Sequence, residues 1–356
     1  VKNLKSKTLK RLPYLKQVFR ERDQLRVERD QLRTERDQLR TERNQLRTER
    51  DQLRTERDQL RTERDQLRTE RDQLRTETYE LQRGWPPGHF YSPIPSIEEV
   101  KLREKEIFNN IPGGIPGVDL NEEGQVHLLH ELKIHYHDQP FEAQKKDDVR
   151  YFFENPNYSY GEAIILYCII RHAQPKKIIE LGSGYSSCAI LDTNELFLDN
   201  AISCTFIDPY PQLLQSLIKE SDIERIEIIQ KNVQDVSIDK FSELSAGDIL
   251  FVDSSHVSKV NSDVNHIFFE ILPHIKGGIY IHFHDVGYPF EYPKEWIYEG
   301  RAWNEAYLLR AFLQYNNAFR IRFFNSFMAH AYRDMLAREM PMCMKNPGTS
   351  IWIQKI

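Results

Sequence analysis

Apolar and polar positions follow two different periods along this chain. From about Glu21 to Glu77 the unit Arg-Asp-Gln-Leu-Arg-Thr-Glu recurs every seven residues. It leaves one leucine per repeat, at 25, 32, 39, 46, 53, 60, 67 and 74, with Leu81 still in phase. No Gly or Pro interrupts it, and most of its residues are fair helix formers. The pattern predicts one helix of about 60 residues, roughly 90 Å long. With leucine at position d, Arg29, Arg36 and Arg43 fall at a, Glu28 and Glu35 at g, and Arg26 and Arg33 at e. Glu28 then faces Arg33 of a parallel partner helix. The cost is a seam that is only half apolar. Within one helix Asp30 is expected to pair with Arg26 and Arg33. The segment reads as a weak parallel coiled coil or, alternatively, a lone solvated helix; in either case it is a spacer or assembly arm.

Gly84-Trp85-Pro86-Pro87-Gly88 stops that helix. Residues 82–154 form a connector or cap, with helical patterns near 97–108 and 122–137 and turns at Gly113-Gly114 and Pro116-Gly117. From Tyr160 the pattern changes. A buried helix is predicted over 161–173, then apolar runs at 177–181, 202–207, 225–229, 248–252 and 278–283 alternate with helices near 186–198, 210–220 and 259–273. Such alternation implies right-handed crossovers and a parallel sheet. An insertion (287–300), a helix (302–316) and two last strands (319–327 and 349–355) follow. Between those two strands there is no room for an ordinary crossover helix, which leaves an antiparallel return. The chain therefore divides into a basic segment (1–20), a heptad helix (21–81), a connector (82–154) and an α/β domain (155–356).

Charge is distributed unevenly. Residues 1–20 carry seven Lys/Arg and no acid, residues 21–77 carry 16 of each sign, and the remainder carries 26 basic and 38 acidic residues. An acidic C-terminal portion argues against nucleic-acid binding, which needs a basic surface. Only residues 1–20 could seek an anionic partner such as a membrane surface, and Pro13 interrupts any continuous amphipathic face there. The bland reading of this segment is a solubilising start to the helix. Four cysteines, at 168, 188, 204 and 343, have no CxxC spacing. They read as core thiols in a reducing, cytoplasmic setting. No apolar run approaches the roughly 20 residues of a membrane span, and no secretory signal is legible.

The sharpest chemical feature is Lys177-Ile178-Ile179-Glu180-Leu181-Gly182-Ser183-Gly184-Tyr185-Ser186-Ser187. A buried strand ends in a glycine-rich turn that opens a helix, where backbone can approach a ligand and free amides are offered. A dinucleotide fingerprint would want a third glycine where Ser187 stands. The next strand ends at Asp208, where a carboxylate can accept both hydroxyls of a ribose. Two further strand tips, Phe251-Val252-Asp253-Ser254-Ser255-His256 and Ile281-His282-Phe283-His284-Asp285, end on the same edge of the sheet. Strand alternation puts His282 and His284 on one face and Asp285 on the other, unless the strand ends first. His282 reads as a core histidine.

Glu-x-Gly-x-Gly after the first strand, an acid ending the second and a closing strand pair resemble the class I S-adenosylmethionine-dependent methyltransferases. The branch resembled is that of macrocin-type and rhamnosyl O-methyltransferases and cephalosporin-hydroxylase-like proteins, over roughly residues 155–356. The resemblance implies a Rossmann-like seven-stranded α/β sheet and S-adenosylmethionine as cofactor. It implies that Gly182, Ser183 and Gly184 cradle the methionine part with Glu180 supporting the turn, and that Asp208 holds the ribose. Asn232, Val233 and Gln234 would border the adenine, where the usual acid is missing and Asp235 lies just beyond. Asp253 would close the cofactor site. In that branch, acids ending strands four and five bind a divalent metal; the matching residues here are Asp253, His284 and Asp285, and an imidazole in the set tilts the choice towards manganese, iron or zinc. Without a metal, His256 or His284 would take the acceptor's proton, oriented by Asp253 or Asp285.

Tyr288, Tyr292, Trp296, Trp303, Asn304 and Glu305 are lid candidates, and Tyr158 and Tyr160 could join the wall or belong to the core. Such a wall suits a small or saccharide-like hydroxyl acceptor, and the expected reaction is O-methylation. Two other readings remain open: an assembly protein carrying an inactive methyltransferase-like domain, and a nicotinamide-dependent oxidoreductase. The helix makes a homo-oligomer the expected assembly.

Overall fold

The computed structural model describes the backbone of residues 2–81 and 84–356 and the side chains of residues 13–76 and 84–356. The side chains of residues 1–12, and so much of the expectation of surface attachment through residues 1–20, lie outside the described residues. So does the side chain of Leu81. The chain forms two compact units, Val1–Pro86 and Pro87–Ile356. No described helix is long and apolar enough to cross a membrane.

In the first unit one helix spans Lys2–Leu81, with Pro13 inside it. The leucines at 25, 32, 39, 46, 53, 60 and 67 are each more than half exposed in the single chain. The expected pairing of Asp30 with Arg26 and Arg33 is not what forms. Asp30 pairs instead with the preceding Arg29 at 3.2 Å, and the same neighbour pairing recurs from Arg36–Asp37 to Arg71–Asp72. A long arginine reaches the short carboxylate beside it, which draws the a-position guanidinium towards b and leaves the e-position arginines outside these pairs.

In the second unit a seven-stranded sheet comprises β1 (Lys177–Leu181), β2 (Ser203–Ile207), β3 (Ile226–Ile229), β4 (Ile249–Val252), β5 (Tyr280–Phe283), β6 (Phe319–Phe324) and β7 (Ile351–Lys355). The spatial order is β3-β2-β1-β4-β5-β7-β6. The first five strands run parallel, and β7 inserts antiparallel between β5 and β6. Continuous apolar runs make β1, β4 and β5 because both faces are covered by helices. The reversed β7 also departs from a sheet built of two parallel mononucleotide-binding halves. The segment between β6 and β7 differs from the expectation. β6 ends at Phe324, and two short helices, Asn325–Ala331 and Arg333–Glu339, fill the return. Their polar Asn, His and Arg positions had masked the buried Phe327, Met328 and Leu336.

The connector packs onto the sheet domain. Helix Glu122–Tyr136 buries Leu128, Leu129, Leu132 and Tyr136. Gln125 is fully buried, donating to the Leu120 carbonyl and accepting from the Phe324 amide, each at 2.7 Å. Arg150 is the main clamp. Its buried guanidinium meets Asp192 and Glu195 at 2.7 Å and donates from Nε to Asp222 at 2.7 Å. The amides of Arg150 and Tyr151 also donate to Asp192, which fixes this stretch on helix Tyr185–Phe197. All four cysteines are free and buried.

Candidate functional site

Every strand tip singled out by the sequence meets on one edge of the sheet. The turn after β1 is set by Gly182, whose φ is +81°; an alanine Cβ there would lie 2.3 Å from the Asp253 carbonyl oxygen. Only glycine takes that conformation without strain and admits that approach. Beneath the turn, Glu180 is fully buried and accepts the hydroxyls of Ser186 and Ser187. Burial pushes its carboxyl up to about 8, against those two donations. Glu180 thus acts on the turn from below and does not line the cleft above it.

That cleft has a volume of about 390 Å³. Gly182, Asp208, Asn232, Val233, Gln234 and Asp253 all line it; Ser183 and Gly184 are not among its lining residues. Asp208 accepts from the Ser183 hydroxyl at 2.6 Å and from the Tyr210 amide at 2.7 Å. A carboxylate has four lone-pair positions, so it retains capacity for two ligand hydroxyls. Gln234 donates from Nε2 to the Asn261 carbonyl at 2.7 Å, while its Oε1 is buried with no partner among the described residues. A buried acceptor without a donor is costly unless a ligand supplies one.

Beside this cleft lies a polar cluster. His284 Nδ1 is 3.2 Å from Asp253 Oδ1 and 3.7 Å from Asp285 Oδ2, and its Nε2 is 3.4 Å from Glu162. His256 Nε2 is 3.5 Å from Asp253 and 3.6 Å from Asp285, and its Nδ1 meets Glu305 at 2.8 Å. Alternation had put Asp285 on the far face unless the strand ended first. β5 ends at Phe283 and Asp285 turns into the left-handed region at φ 55°, so its carboxylate joins the histidines. His256 is also left-handed, at φ 60°. Two such non-glycine residues in one cluster mark strain that the surrounding structure holds in place. The Asn304 and Glu305 amides secure the His256 carbonyl at 3.0 and 3.2 Å.

Electrostatics follow from this geometry. Burial disfavours the imidazolium of His256, but Asp253 and Glu305 outweigh it and raise its pKa to about 10. His284 is likewise raised well above the usual value: burial opposes the charge, and Asp253, Glu162 and Asp285 overcome it. Asp253, despite burial, is held far below the carboxylate range by the two imidazoles. His282 is a core residue, stacked 3.9 Å from the Phe251 ring centroid, and burial keeps it neutral.

Asp253, His256 and His284 each offer a ligand atom within 4.8 Å of the others, a mixed oxygen and nitrogen set with surplus carboxylate around it. This fits a divalent cation. The resemblance had implied Asp285 in place of His256; the His256 Nε2 lies 3.6 Å from the Asp285 carboxylate.

A second cavity, of about 520 Å³, opens on the other side of His284 and Asp285. Glu162, Asn157, Trp296, Ser326, His330, Arg333 and Thr349 are among its walls. Two members of the cluster were not assigned to it from sequence. Glu162 was missed, although a buried acid at the start of the apolar run Ala163–Ile170 is a signal that could have found it. Glu305 stood among the lid candidates, but it is 1% exposed and holds His256 and Ser254. Of the other lid candidates, Tyr288 donates to the Pro112 carbonyl, the Tyr292 hydroxyl accepts from the Ala306 amide, and Asn304 accepts from the Ser258 amide. Trp303 packs against His256, with centroids 4.4 Å apart. Tyr158 and Tyr160 are buried and belong to the core.

Comparison with known proteins gives three findings. A family profile described as a methyltransferase domain matches residues 179–286. A protein of Archaeoglobus fulgidus, known only as an uncharacterized protein, is 34% identical over 170 residues, covering 46% of this chain and 76% of its own length. Among solved structures, apo CmcI is similar at 16% identity, covering 63% of this chain and 83% of its own, with a TM-score of 0.37. TomG, an O-methyltransferase of Streptomyces achromogenes involved in tomaymycin synthesis and solved with SAM, is similar at 13% identity, 63% and 87% coverage and a TM-score of 0.34.

Proposed function

This chain belongs to the methyltransferase-domain family, as an enzyme of the S-adenosylmethionine-dependent class, and we propose that it methylates a hydroxyl of a small or saccharide-like acceptor. The observation that carries this reading is that Asp253, which lines the first cavity, lies 3.2 Å from His284, which lines the second together with Asp285. The 390 Å³ cleft is the cofactor side and the 520 Å³ cavity the acceptor side. S-adenosylmethionine, when bound, supplies an activated methyl group. Gly182, Ser183 and Gly184 would hold its methionine part, Asp208 its ribose and the Asn232–Gln234 stretch its adenine. The partnerless Gln234 Oε1 would accept from the adenine amino group.

The residues of the chain then have three tasks. The two cavities bring acceptor and methyl donor into line, which supplies most of the rate in such a transfer. Trp296, Trp303 and the 287–300 loop exclude water. A base takes the hydroxyl proton. Both imidazoles are shifted towards the protonated form by the carboxylates around them, so Asp285, in place of the His256 or His284 expected from the sequence, is the base we propose for the metal-free chain. Where a divalent cation binds, Asp253, His256 and His284 would be its ligands with Asp285 alongside, and it would polarise the acceptor oxygen. Four buried free thiols suit a reducing, cytoplasmic compartment.

Incubating the full chain with methyl-labelled S-adenosylmethionine and a panel of hydroxylated acceptors tests the reading. Label recovered as a methyl ether supports it. Label recovered only on amines would overturn O-methylation while leaving the family intact.

The heptad helix is proposed to assemble parallel homo-oligomers. Glu at g and Arg at e pair across a parallel seam, whereas an antiparallel seam would set like charges together. The neighbour pairing of Arg29 with Asp30 lowers the cost of arginine at a by drawing it sideways. Replacing Leu39, Leu46 and Leu53 together by Glu should reduce the mass in light scattering to that of one chain, 42.3 kDa. An unchanged oligomeric mass would sink the coiled-coil assignment.

A further inference from the structure

The cavity that carries Glu162, His284 and Asp285 is also lined by two basic side chains, His330 and Arg333, from the return between β6 and β7. On helix Arg333–Glu339 the second arginine, Arg338, is satisfied by Glu339, which also meets Lys133 at 2.9 Å. Arg333 is different. It is exposed, and among the described residues its guanidinium has no hydrogen bond and no carboxylate within ion-pair distance, although Asp334 is its neighbour and Asp285 lines the same cavity. A guanidinium and a carboxylate that share a cavity without pairing leave a gap that a ligand can bridge. The walls between them offer the amides of Asn157 and Asn346, the hydroxyls of Ser326 and Thr349, and the Trp296 ring. Thr349 Oγ1 donates to Asp285 Oδ1 at 3.2 Å, and Asp285 Oδ2, which lies 3.6 and 3.7 Å from the His256 and His284 rings, keeps a lone pair for the incoming hydroxyl.

We infer that the acceptor is a polyhydroxylated molecule bearing an anionic group, a carboxylate or a phosphate. Its reacting hydroxyl faces Asp285 and its anion is gripped by Arg333 with His330. A planar, five-donor guanidinium matches either anion in a bidentate manner. The 520 Å³ volume suits a ligand of sugar size. Arg333 is a specificity residue in this scheme: it selects the acceptor and takes no part in moving the methyl group. The inference rests on the functional reading above, so its test separates the two.

The full chain, saturated with S-adenosylhomocysteine, is titrated calorimetrically with glucuronate, glucose 6-phosphate and glucose. One or both anionic probes should bind at least about tenfold more tightly than glucose, the increment of one charge-assisted pair, and the preference should fall as salt rises. Which anion binds more tightly identifies the source of the charge. Arg333→Ala should remove the preference, Arg333→Lys should keep part of it, and both should bind S-adenosylhomocysteine as the parent does, which also verifies folding. Failure of S-adenosylhomocysteine to bind would defeat the functional reading itself. If it binds but neither anionic probe binds better than glucose, or Arg333→Ala leaves the preference intact, the anionic acceptor is overturned.

Discussion

Replacing Gly182 by alanine is expected to abolish S-adenosylmethionine binding. The new methyl group would sit 2.3 Å from the Asp253 carbonyl oxygen, at a residue whose φ is +81°. Neither term can relax cheaply. The obstructing atom is backbone, and the Asp253 amide is tied to the Leu181 carbonyl at 2.8 Å across the β1–β4 pair. Relief requires the strand tips to separate, which moves the turn and the Asp253 carboxylate together. The left-handed conformation alone costs alanine about 1 kcal/mol. Calorimetry should report at least about a hundredfold weaker binding, near 2.7 kcal/mol, with a lower Tm. Gly184→Ala is the control. Gly184 has an extended φ of 174°, and its Cβ would meet only the flexible Leu213 side chain, at 3.3 Å. Its loss should stay below about tenfold. Wild-type affinity in Gly182→Ala would remove the turn from the binding site.

Asp253→Asn should disturb both imidazoles at once. Asp253 is the carboxylate that His256 and His284 share. In the metal-free chain the ring protons of His256 should titrate clearly below the value near 10 that the parent holds, and NMR of the ring C–H signals measures this directly. The stability consequence has a definite sign. A histidine pKa raised on folding adds stability that is complete below about pH 6.5 and disappears as pH rises towards 10. The lowered pKa of Asp253 adds stability that is present above about pH 4 and lost below it. The difference between parent and variant should therefore be largest between about pH 4 and 6.5 and shrink towards pH 10. Its size is reduced by solvent, because the Asp253 side chain is 35% exposed to the cleft. A loss of about 2 kcal/mol is expected, below the 3–5 kcal/mol typical of breaking a fully buried pair. Denaturant melts across that pH range check it. A difference that grows towards pH 10 would contradict the proposed charge arrangement.

The contrast between legible and illegible features has a physical origin. The strands were legible because a two-faced parallel strand is a run of apolar residues that stops at a small or acidic residue, as at Leu181-Gly182 and Ile207-Asp208. The strand tips placed Asp208, Asp253 and His284 on one edge for the same reason. Glu162 and Glu305 were harder to find because they reach the cluster from helices distant in sequence, and only packing brings them to His284 and His256. Alternation left Asp285 open, on the far face unless the strand ended first; the strand does end, at Phe283, and the backbone turns left-handed at Asp285. The two helices between β6 and β7 were hidden by their short length, seven residues each being too few for a periodic signature. They carry His330 and Arg333, so the wall of the acceptor cavity was the part of the site least visible in the sequence.

The central claim is that the cleft beside β1 and β4 holds S-adenosylmethionine next to a cation-competent cluster. Calorimetric titration of the full chain with S-adenosylmethionine and S-adenosylhomocysteine, with and without magnesium or manganese, tests it most directly. One site per chain with a Kd on the order of micromolar is the expected result, with a metal-dependent change in affinity if Asp253, His256 and His284 act as ligands. Absence of binding by both compounds in every condition would contradict the account.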